Sequence, residues 1–313
     1  MRVVVTGASG FLGRHVAGHF LGGGHDVVTW RRPGGRDPSD GRVRCVEGSL
    51  TDPASMDRLV AGADAVVHTA VFNPGDSFVG QEGDPGEYYA SNVVGTVRLI
   101  DTARAAGVGR FVFISSGAVH QTTLPKDRLP GGRLDETHPL WPASVYGASK
   151  AAVETFITAI GHGDAESRGG AFVPATLRPT SIYGVDEPIE SSRYFDLVRD
   201  VVAGRDVDAS GGGKVVHADD IARACETLIY ADADKVRGET FNCTGGSVAR
   251  RDVAELAVEV MRRRDPHFRP GEVSGDRPTG GTPMSTAKLE ALGFEFRQAE
   301  RLRGTVENLI DSA

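Results

Sequence analysis

The chain has 313 residues, 40% hydrophobic and 25% charged, with a formal net charge of −7. That is ordinary globular composition, long enough for one large domain with a smaller partner and able to bury its own core without staples. The acidic balance argues against nucleic acid or an anionic membrane as a partner, and three scattered cysteines (Cys45, Cys225 and Cys243) argue against a disulfide framework or a metal site.

Short apolar runs alternate with helical patterns along the chain. "RVVVTG" reads as a strand, "GFLGRHVAGHFLGGG" as a helix closed by glycines, and "HDVVTWR" and "RVRCVEG" as the next two strands. "DPASMDRLVAG" is a helix with an acidic start, "ADAVVHTAV" a fourth strand, "YYASNVVGTVRLIDTARAAGV" a long helix and "RFVFISS" a fifth strand. Residues 120–140 form a long loop, of a length that is often functional. The helix "SVYGASKAAVETFITAIG" and the strand "FVPATLRPTSIYG" follow, and "ADDIARACETLIYA" and "GETFNCTGG" read as a returning helix and strand. Continuous Val/Ile/Phe strands, each followed by a helix, predict a parallel sheet covered on both faces. With right-handed crossovers this is an α/β doubly wound (Rossmann) fold. The expected larger domain, which holds this sheet, comprises 1–183 and 217–245. A smaller, discontinuous substrate-binding domain is expected over 184–216 and 246–313, where Gly, Arg and Pro are richer. The first residues run directly into a strand and no apolar run reaches membrane-spanning length, so the reading is a soluble, cytoplasmic protein.

Two patterns carry chemistry. In "VVVTGASGFLGRHV", Gly7, Gly10 and Gly13 follow a strand and open a helix. The first glycine suits a tight turn, the second lets backbone N–H groups approach a pyrophosphate, and the third lets the helix press on the sheet. At the end of the second strand Arg31 and Arg32 stand where an acid would bind ribose hydroxyls, and Asp26 comes too early. Arg can bind a 2′-phosphate, which favours NADP(H) over NAD(H); a solvated Arg pair is the plainer alternative. The second pattern is Tyr146 and Lys150, one helical turn apart and on one face.

The glycine spacing and the Tyr146/Lys150 pair occur in order with "VVHTA", "NVVGT", "FVFISSGAVH", "DETHPLWPASVYGASK", "LRPTSIYG" and "VVHADDIARA". Over nearly its whole length the chain thus resembles the extended short-chain dehydrogenase/reductases, the NAD(P)-dependent epimerase/dehydratase group, which act mostly on nucleotide sugars. The resemblance implies that Tyr146 is the general acid/base, that Ser116 hydrogen-bonds the reacting oxygen, and that Lys150 contacts the nicotinamide ribose and lowers the phenol pKa. A phenol titrates near 10, and a fixed positive charge favours phenolate. It further implies cofactor contacts at Gly7, Gly10, Phe11, Leu12 and Gly13, at Leu50 against the adenine, along Thr69, Ala70 and Val71, and at Pro179 and Ile182. Asn92 either braces the active-site loop or caps a helix start. His120, on the substrate side in the family or else an exposed loop histidine, and Ser181 are substrate-side candidates. Arg193, with Arg199, Arg205 and Lys214, either pairs a diphosphate or is plain surface charge. His217 and Asp220 are expected to be structural, with a catalytic His217 the minor alternative.

Two departures narrow the chemistry. Ser49 stands where an acid often contacts the adenine. Gly117 and Ala118 replace the acid pair of dehydratases, which argues against elimination of water. The implied function is hydride transfer at a secondary alcohol or ketone of a sugar or nucleotide sugar, as a 4-epimerase or a ketoreductase. The alternatives are a reductase or dehydrogenase of a non-sugar carbonyl, steroid- or polyketide-like, and a non-catalytic NADP sensor. The resemblance also implies a homodimer through the helix of Lys150 and the helix over 88–106.

Overall fold

Hydrophobic runs without polar interruption become the interior of a parallel sheet here. A computed structural model of the chain describes residues 1–32, 34–35, 41–73, 84–120, 126–163, 171–278 and 281–313. In chain order the elements are β1 (Arg2–Thr6), α1 (Phe11–Gly22), β2 (Asp26–Arg31), β3 (Arg44–Glu47), α2 (Pro53–Val60), β4 (Ala65–His68) and α3 (Pro85–Tyr89). A π-helical segment, Ala90–Gly95, then runs into α4 (Thr96–Ala105), followed by β5 (Arg110–Ile114), α5 (Val145–His162) and β6 (Val173–Pro179). Next come β7 (Ser181–Tyr183), α6 (Phe195–Val202), β8 (Val207–Asp208), β9 (Gly212–His217), α7 (Ala218–Tyr230), α8 (Ala233–Val236) and β10 (Thr240–Cys243). The chain closes with β11 (Gly246–Ala249), α9 (Arg250–Arg264), β12 (Val273–Ser274), α10 (Ala287–Glu290) and α11 (Gln298–Asp311).

The chain forms two units. The first comprises 1–179, 221–243 and 283–294. Its seven strands lie in the order β10-β6-β5-β4-β1-β2-β3, and every pairing is parallel. The order reverses between β1 and β4, which opens the crevice where doubly wound sheets bind ligands. Val3, Val4 and Val5 of β1 and Ala65, Val66 and Val67 of β4 are fully buried. On one face Met56, Leu59, Leu99, Ile100, Val153 and Ile157 pack on Val4, Val28, Phe111 and Phe113. Burying such side chains stabilises by roughly 1.5–3 kcal/mol each.

The second unit comprises 180–220, 244–282 and 295–313. A three-stranded sheet, β11-β9-β7, and helices α6, α9 and α11 share a core of Tyr183, Phe195, Val198, Val253, Ala257, Val306 and Leu309. These boundaries differ from the expected ones at 180–183, 217–220, 244–245 and 283–294, and the first and last have a visible cause. The run read as one strand, "FVPATLRPTSIYG", breaks at Thr180, and its last part pairs with β9 rather than with the large sheet. Residues 283–294, expected in the smaller domain, belong to the first unit: Leu134 bridges Met284, and Leu289 is fully buried as α10 packs on β10. The long loop of 120–140 lies outside the described residues over 121–125; beyond these it contains short 3₁₀ turns at Lys126–Arg128 and Pro130–Gly132.

Among the described residues no helix is long and apolar enough to cross a membrane.

Candidate active site

The glycine pattern folds as its spacing requires. Gly7 follows β1 at φ +76°, a left-handed conformation that strains other residues. A Cβ at Gly13 would lie 2.0 Å from the Gly7 carbonyl oxygen, so only glycine lets α1 sit against the turn. Gly10 caps α1 without a side-chain bond, and Ser9 and Gly10 are exposed. Phe11 and Leu12 follow, half-buried, in the first turn. A bare helix start on a glycine turn at the carboxyl end of β1 fits the phosphates of a dinucleotide.

The turn is joined to the neighbouring strand by a chain of hydrogen bonds that runs in one direction. The Ala70 N–H donates to Thr6 Oγ1 at 3.2 Å, and Thr6 Oγ1 bonds His68 Nδ1 at 2.7 Å. His68 Nε2 bonds Thr96 Oγ1 at 3.0 Å, and Thr96 spends its own proton on the Asn92 carbonyl at 2.9 Å. Thr96 must therefore accept from His68, which fixes the neutral Nε2–H tautomer. Burial, with the Lys150 charge, pushes the His68 pKa down to about 3, consistent with that neutral ring. Asn92 then clasps Phe72: its Oδ1 accepts from the Phe72 N–H and its Nδ2 donates to the Phe72 carbonyl, both at 2.8 Å. The wider turn of the π-helical segment places Ser91 and Asn92 on the buried side. Asn92 therefore braces the 69–72 segment and is not a helix cap. Thr69, Ala70 and Val71 line that segment half-buried, and Thr69 donates to the Thr6 carbonyl at 2.6 Å.

The titratable cluster stands at the carboxyl end of β5. Ser144 caps α5 through the Gly147 N–H at 3.1 Å, and a Cβ at Gly147 would lie 2.5 Å from the Ala118 oxygen, so the helix start presses on the turn that follows Ser116. This brings the Ser116 hydroxyl into a hydrogen bond with the Tyr146 phenol. Burial raises the Tyr146 pKa above its ordinary value, the bond with Ser116 pulls it back, and the neighbouring Tyr88 adds to the rise. Lys150 is 6% exposed; its Nζ donates to the Ile114 carbonyl at 2.8 Å and lies 4.7 Å from the Phe113 ring centre and 5.8 Å from that of Tyr146. Burial lowers its pKa to about 7, with Glu154 opposing the fall. In the protein alone, then, the phenol is held up rather than down. The expected lowering needs a further positive charge beside it.

One turn beyond Lys150, Glu154 forms a buried ion pair that the sequence reading did not anticipate. Arg178 donates to both Glu154 oxygens, at 2.6 Å for Nη2 to Oε2, and Ser115 adds a hydrogen bond to Oε1. The other Arg178 branch meets His120 Nε2 at 2.9 Å, and His120 Nδ1 donates to the Pro139 carbonyl at 3.2 Å. This corrects the reading of His120. It is 3% exposed with both ring nitrogens engaged, so it is neither a loop histidine nor a polar group offered to a substrate. Burial and the Arg178 charge lower its pKa to about 4.

The chain matches the family model described as "NAD dependent epimerase/dehydratase family" over residues 3–244. It belongs to that family. A UDP-glucose 4-epimerase of Corynebacterium glutamicum is 33% identical over 98% of this chain and 94% of its own length. A 4-hydroxy-2-methyl-3-oxo-4-farnesyl-3,4-dihydroquinoline-1-oxide ketoreductase of Stigmatella aurantiaca is 27% identical over 83% and 73%. Among solved structures, the Thermus thermophilus UDP-glucose 4-epimerase in complex with NAD superposes with a TM-score of 0.74 at 24% identity, covering 100% of both chains.

The remaining candidate residues of this family member are spread over both units. In the first unit Leu50 is 8% exposed at the end of the β3 side, and Pro179 closes β6 in a buried position. Arg31 ends β2 and Arg32, exposed, follows it. Ile182, half-buried, and Ser181 and Arg193, exposed, belong to the second unit. There the basic residues are mostly engaged: Arg199 pairs with Asp196 at 2.8 Å, Arg205 with Asp200 at 2.8 Å, and Lys214 donates to the Thr282 carbonyl at 2.9 Å. Arg193 lies 5.8 Å from the Tyr194 ring centre. His217 Nδ1 accepts the Asp219 N–H at 3.0 Å, and the buried Asp220 accepts the Arg297 N–H at 3.0 Å at the start of α11, which accounts for both as structural groups. Thr6, His68, Thr96, Ser115, Glu154 and Arg178 were missed. The signals were available: a histidine closing the apolar run "AVVH" and an acid at the next turn after Tyr146 and Lys150.

Proposed function

We propose that the protein transfers hydride at a secondary alcohol or ketone, with Tyr146 moving the proton and Ser116 hydrogen-bonding the reacting oxygen. The observation that carries this reading is the Ser116–Tyr146–Lys150 cluster at the carboxyl end of the sheet that also holds the glycine turn. The nicotinamide dinucleotide supplies the hydride chemistry, which no side chain has. Gly7, Gly10, Phe11, Leu12 and Gly13 would hold its phosphates, Leu50 and the 69–71 segment would flank it, Pro179 and Ile182 are the candidates for its redox end, and Lys150 would bind its ribose. Arg31 and Arg32 support NADP(H). A phenol raised by burial is fully protonated at pH 7 and so has a proton to give in reduction of a ketone, while a positive charge brought beside it would favour the phenolate needed in the oxidative direction.

The substrate in this reading is a sugar or nucleotide sugar, supported by the 4-epimerase relative, with Ser181 and Arg193 of the second unit on the substrate side. A second reading, reduction of a non-sugar carbonyl, is favoured by the ketoreductase relative and by the internal pairing of Arg199, Arg205 and Lys214, which leaves less charge for a diphosphate. Elimination of water is not part of either, because Gly117 and Ala118 offer no acid or base. A cytoplasmic homodimer through α5 and the helical run over 88–106 completes the proposal; Val94 of the π-helical segment and Phe156 of α5 expose 45% and 46% of their surface.

The test is purification followed by assay with UDP-glucose and with simple ketones, each with NADH and NADPH. Interconversion of the sugar epimers with no net change at 340 nm supports epimerase. Stoichiometric NADPH consumption with a ketone supports reductase. Absence of both across a broad panel rejects the reading.

A further inference from the structure

The end of β2 lacks the acid that commonly holds the adenosine ribose of a dinucleotide, and carries Arg31 instead. An acid is nonetheless present at this place, delivered by the next strand. Arg31 and Glu47 are direct partners in the parallel β2–β3 ladder, and each is the last residue of its strand. Paired residues of a ladder point to the same face. The Arg31 Nη2 and Glu47 Oε2 atoms are 3.9 Å apart, and the Gly48 N–H donates to the Arg31 carbonyl at 3.0 Å, which fixes the two strand ends together. Both side chains keep contact with solvent, at 38% and 62% exposure. Arg31 lies one strand and Glu47 two strands from β1, whose glycine turn would take the pyrophosphate, and the ribose of a dinucleotide so bound falls off the end of β2, where the two side chains meet.

We propose that Glu47 is a cofactor-selecting residue that balances Arg31. Its carboxylate accepts hydrogen bonds from the ribose hydroxyls of NAD(H), the task of the missing β2 acid. The same charge repels the 2′-phosphate of NADP(H) and competes with it for Arg31. Arg31 in turn attracts that phosphate. The protein therefore uses both cofactors, and NADP(H) is preferred only narrowly. The inference rests on the dinucleotide reading above.

The experiment is a fluorescence titration of NADH and NADPH onto the full-length protein and its Glu47→Gln and Arg31→Ala variants, at low and at 0.5 M salt. The natural protein binds both, with dissociation constants within about tenfold of each other. Glu47→Gln shifts the ratio about tenfold toward NADPH, through tighter NADPH and weaker NADH binding, because one carboxylate beside a doubly charged phosphate in a solvated site is worth about that much. Arg31→Ala shifts it the other way, and both shifts shrink at high salt. A ratio unmoved within twofold in Glu47→Gln, or moved toward NADH, overturns the proposal, as does a natural protein that prefers one cofactor more than a hundredfold. Failure of the natural protein to bind either dinucleotide overturns the underlying functional reading and this inference with it. Both side chains are surface groups, so the variants are expected to fold, which circular dichroism checks; should one fail, the opposite shift in the other still decides.

Discussion

Replacing His68 by leucine tests the one-directional hydrogen-bond chain that frames the cofactor crevice. Leucine fills the apolar space beside Phe113 but neither accepts from Thr6 nor donates to Thr96. Thr6 is fully buried, so its hydroxyl proton loses its acceptor without gaining water. An unsatisfied buried donor costs about 1–3 kcal/mol, and the weakened bond at Thr96 adds about 1. The expected loss is roughly 2–4 kcal/mol at pH 7, a fall in Tm of about 4–8 °C. The pH dependence separates this from a simple packing defect. The folded pKa of His68, about 3, lies below the ordinary 6.5. Below pH 6.5 the unfolded chain takes up a proton that the folded chain refuses, so this contribution is fully present above pH 6.5 and is lost as pH falls toward 3, by about 1.4 kcal/mol per unit. At pH 5 the natural protein has lost about 2 kcal/mol on this account, while His68→Leu loses none. The stability gap between them, read by urea unfolding, should therefore shrink by about 2 kcal/mol between pH 7 and pH 5; His120 and all other groups cancel in the difference. Nitrogen-15 spectra of the natural protein should show a non-titrating Nε2–H histidine. A constant gap, or an Nδ1–H tautomer at His68, would falsify the argument.

Three further outcomes follow from the same structure. Tyr146→Phe should lower turnover by about 10²–10⁴ while cofactor affinity, measured by titration, changes little; unchanged turnover removes Tyr146 from its role. Lys150→Met should stabilise the protein at pH 7 by a few kcal/mol even as activity is lost, because burial lowers the amine to about 7 from 10.5. The sign is that of a group depressed on folding: its cost is full below pH 7 and relieved as pH rises toward 10.5, so the Tm advantage of the variant should fade by pH 10, and a variant less stable than the natural protein at pH 7 refutes it. Gly13→Ala should destabilise by about 3 kcal/mol or more despite a helix-propensity gain of about 1, since its Cβ meets the Gly7 backbone at 2.0 Å; calorimetry showing no loss would contradict the close packing.

The buried Glu154–Arg178 pair explains how α5 is held in register beside Ser116. Tyr146, Lys150 and Glu154 share one helix face; Lys150 is tied to β5 through the Ile114 carbonyl, and Glu154 to β6 by an ion pair with Arg178. Such a pair contributes little net stability, but removing one partner strands a buried charge at a cost of about 3–5 kcal/mol. It therefore fixes the orientation of the helix more than it adds to the total stability.

The residues alone determined a great deal. Uninterrupted apolar strands admit only a doubly covered parallel sheet. Three glycines at that spacing admit only a turn that a Cβ would obstruct, and the Tyr146/Lys150 spacing puts both groups on one helix face, all from local geometry. Tertiary structure decided what depends on neighbours distant in sequence. It decided that His120 is consumed by Arg178, 58 residues away, and that Asn92 holds Phe72 rather than capping a helix. It decided that Arg31 faces an acid from the adjoining strand and that burial sets the proton affinities of Tyr146 and Lys150. Desolvation and pairing are properties of a packed environment, and no spacing along the chain records them.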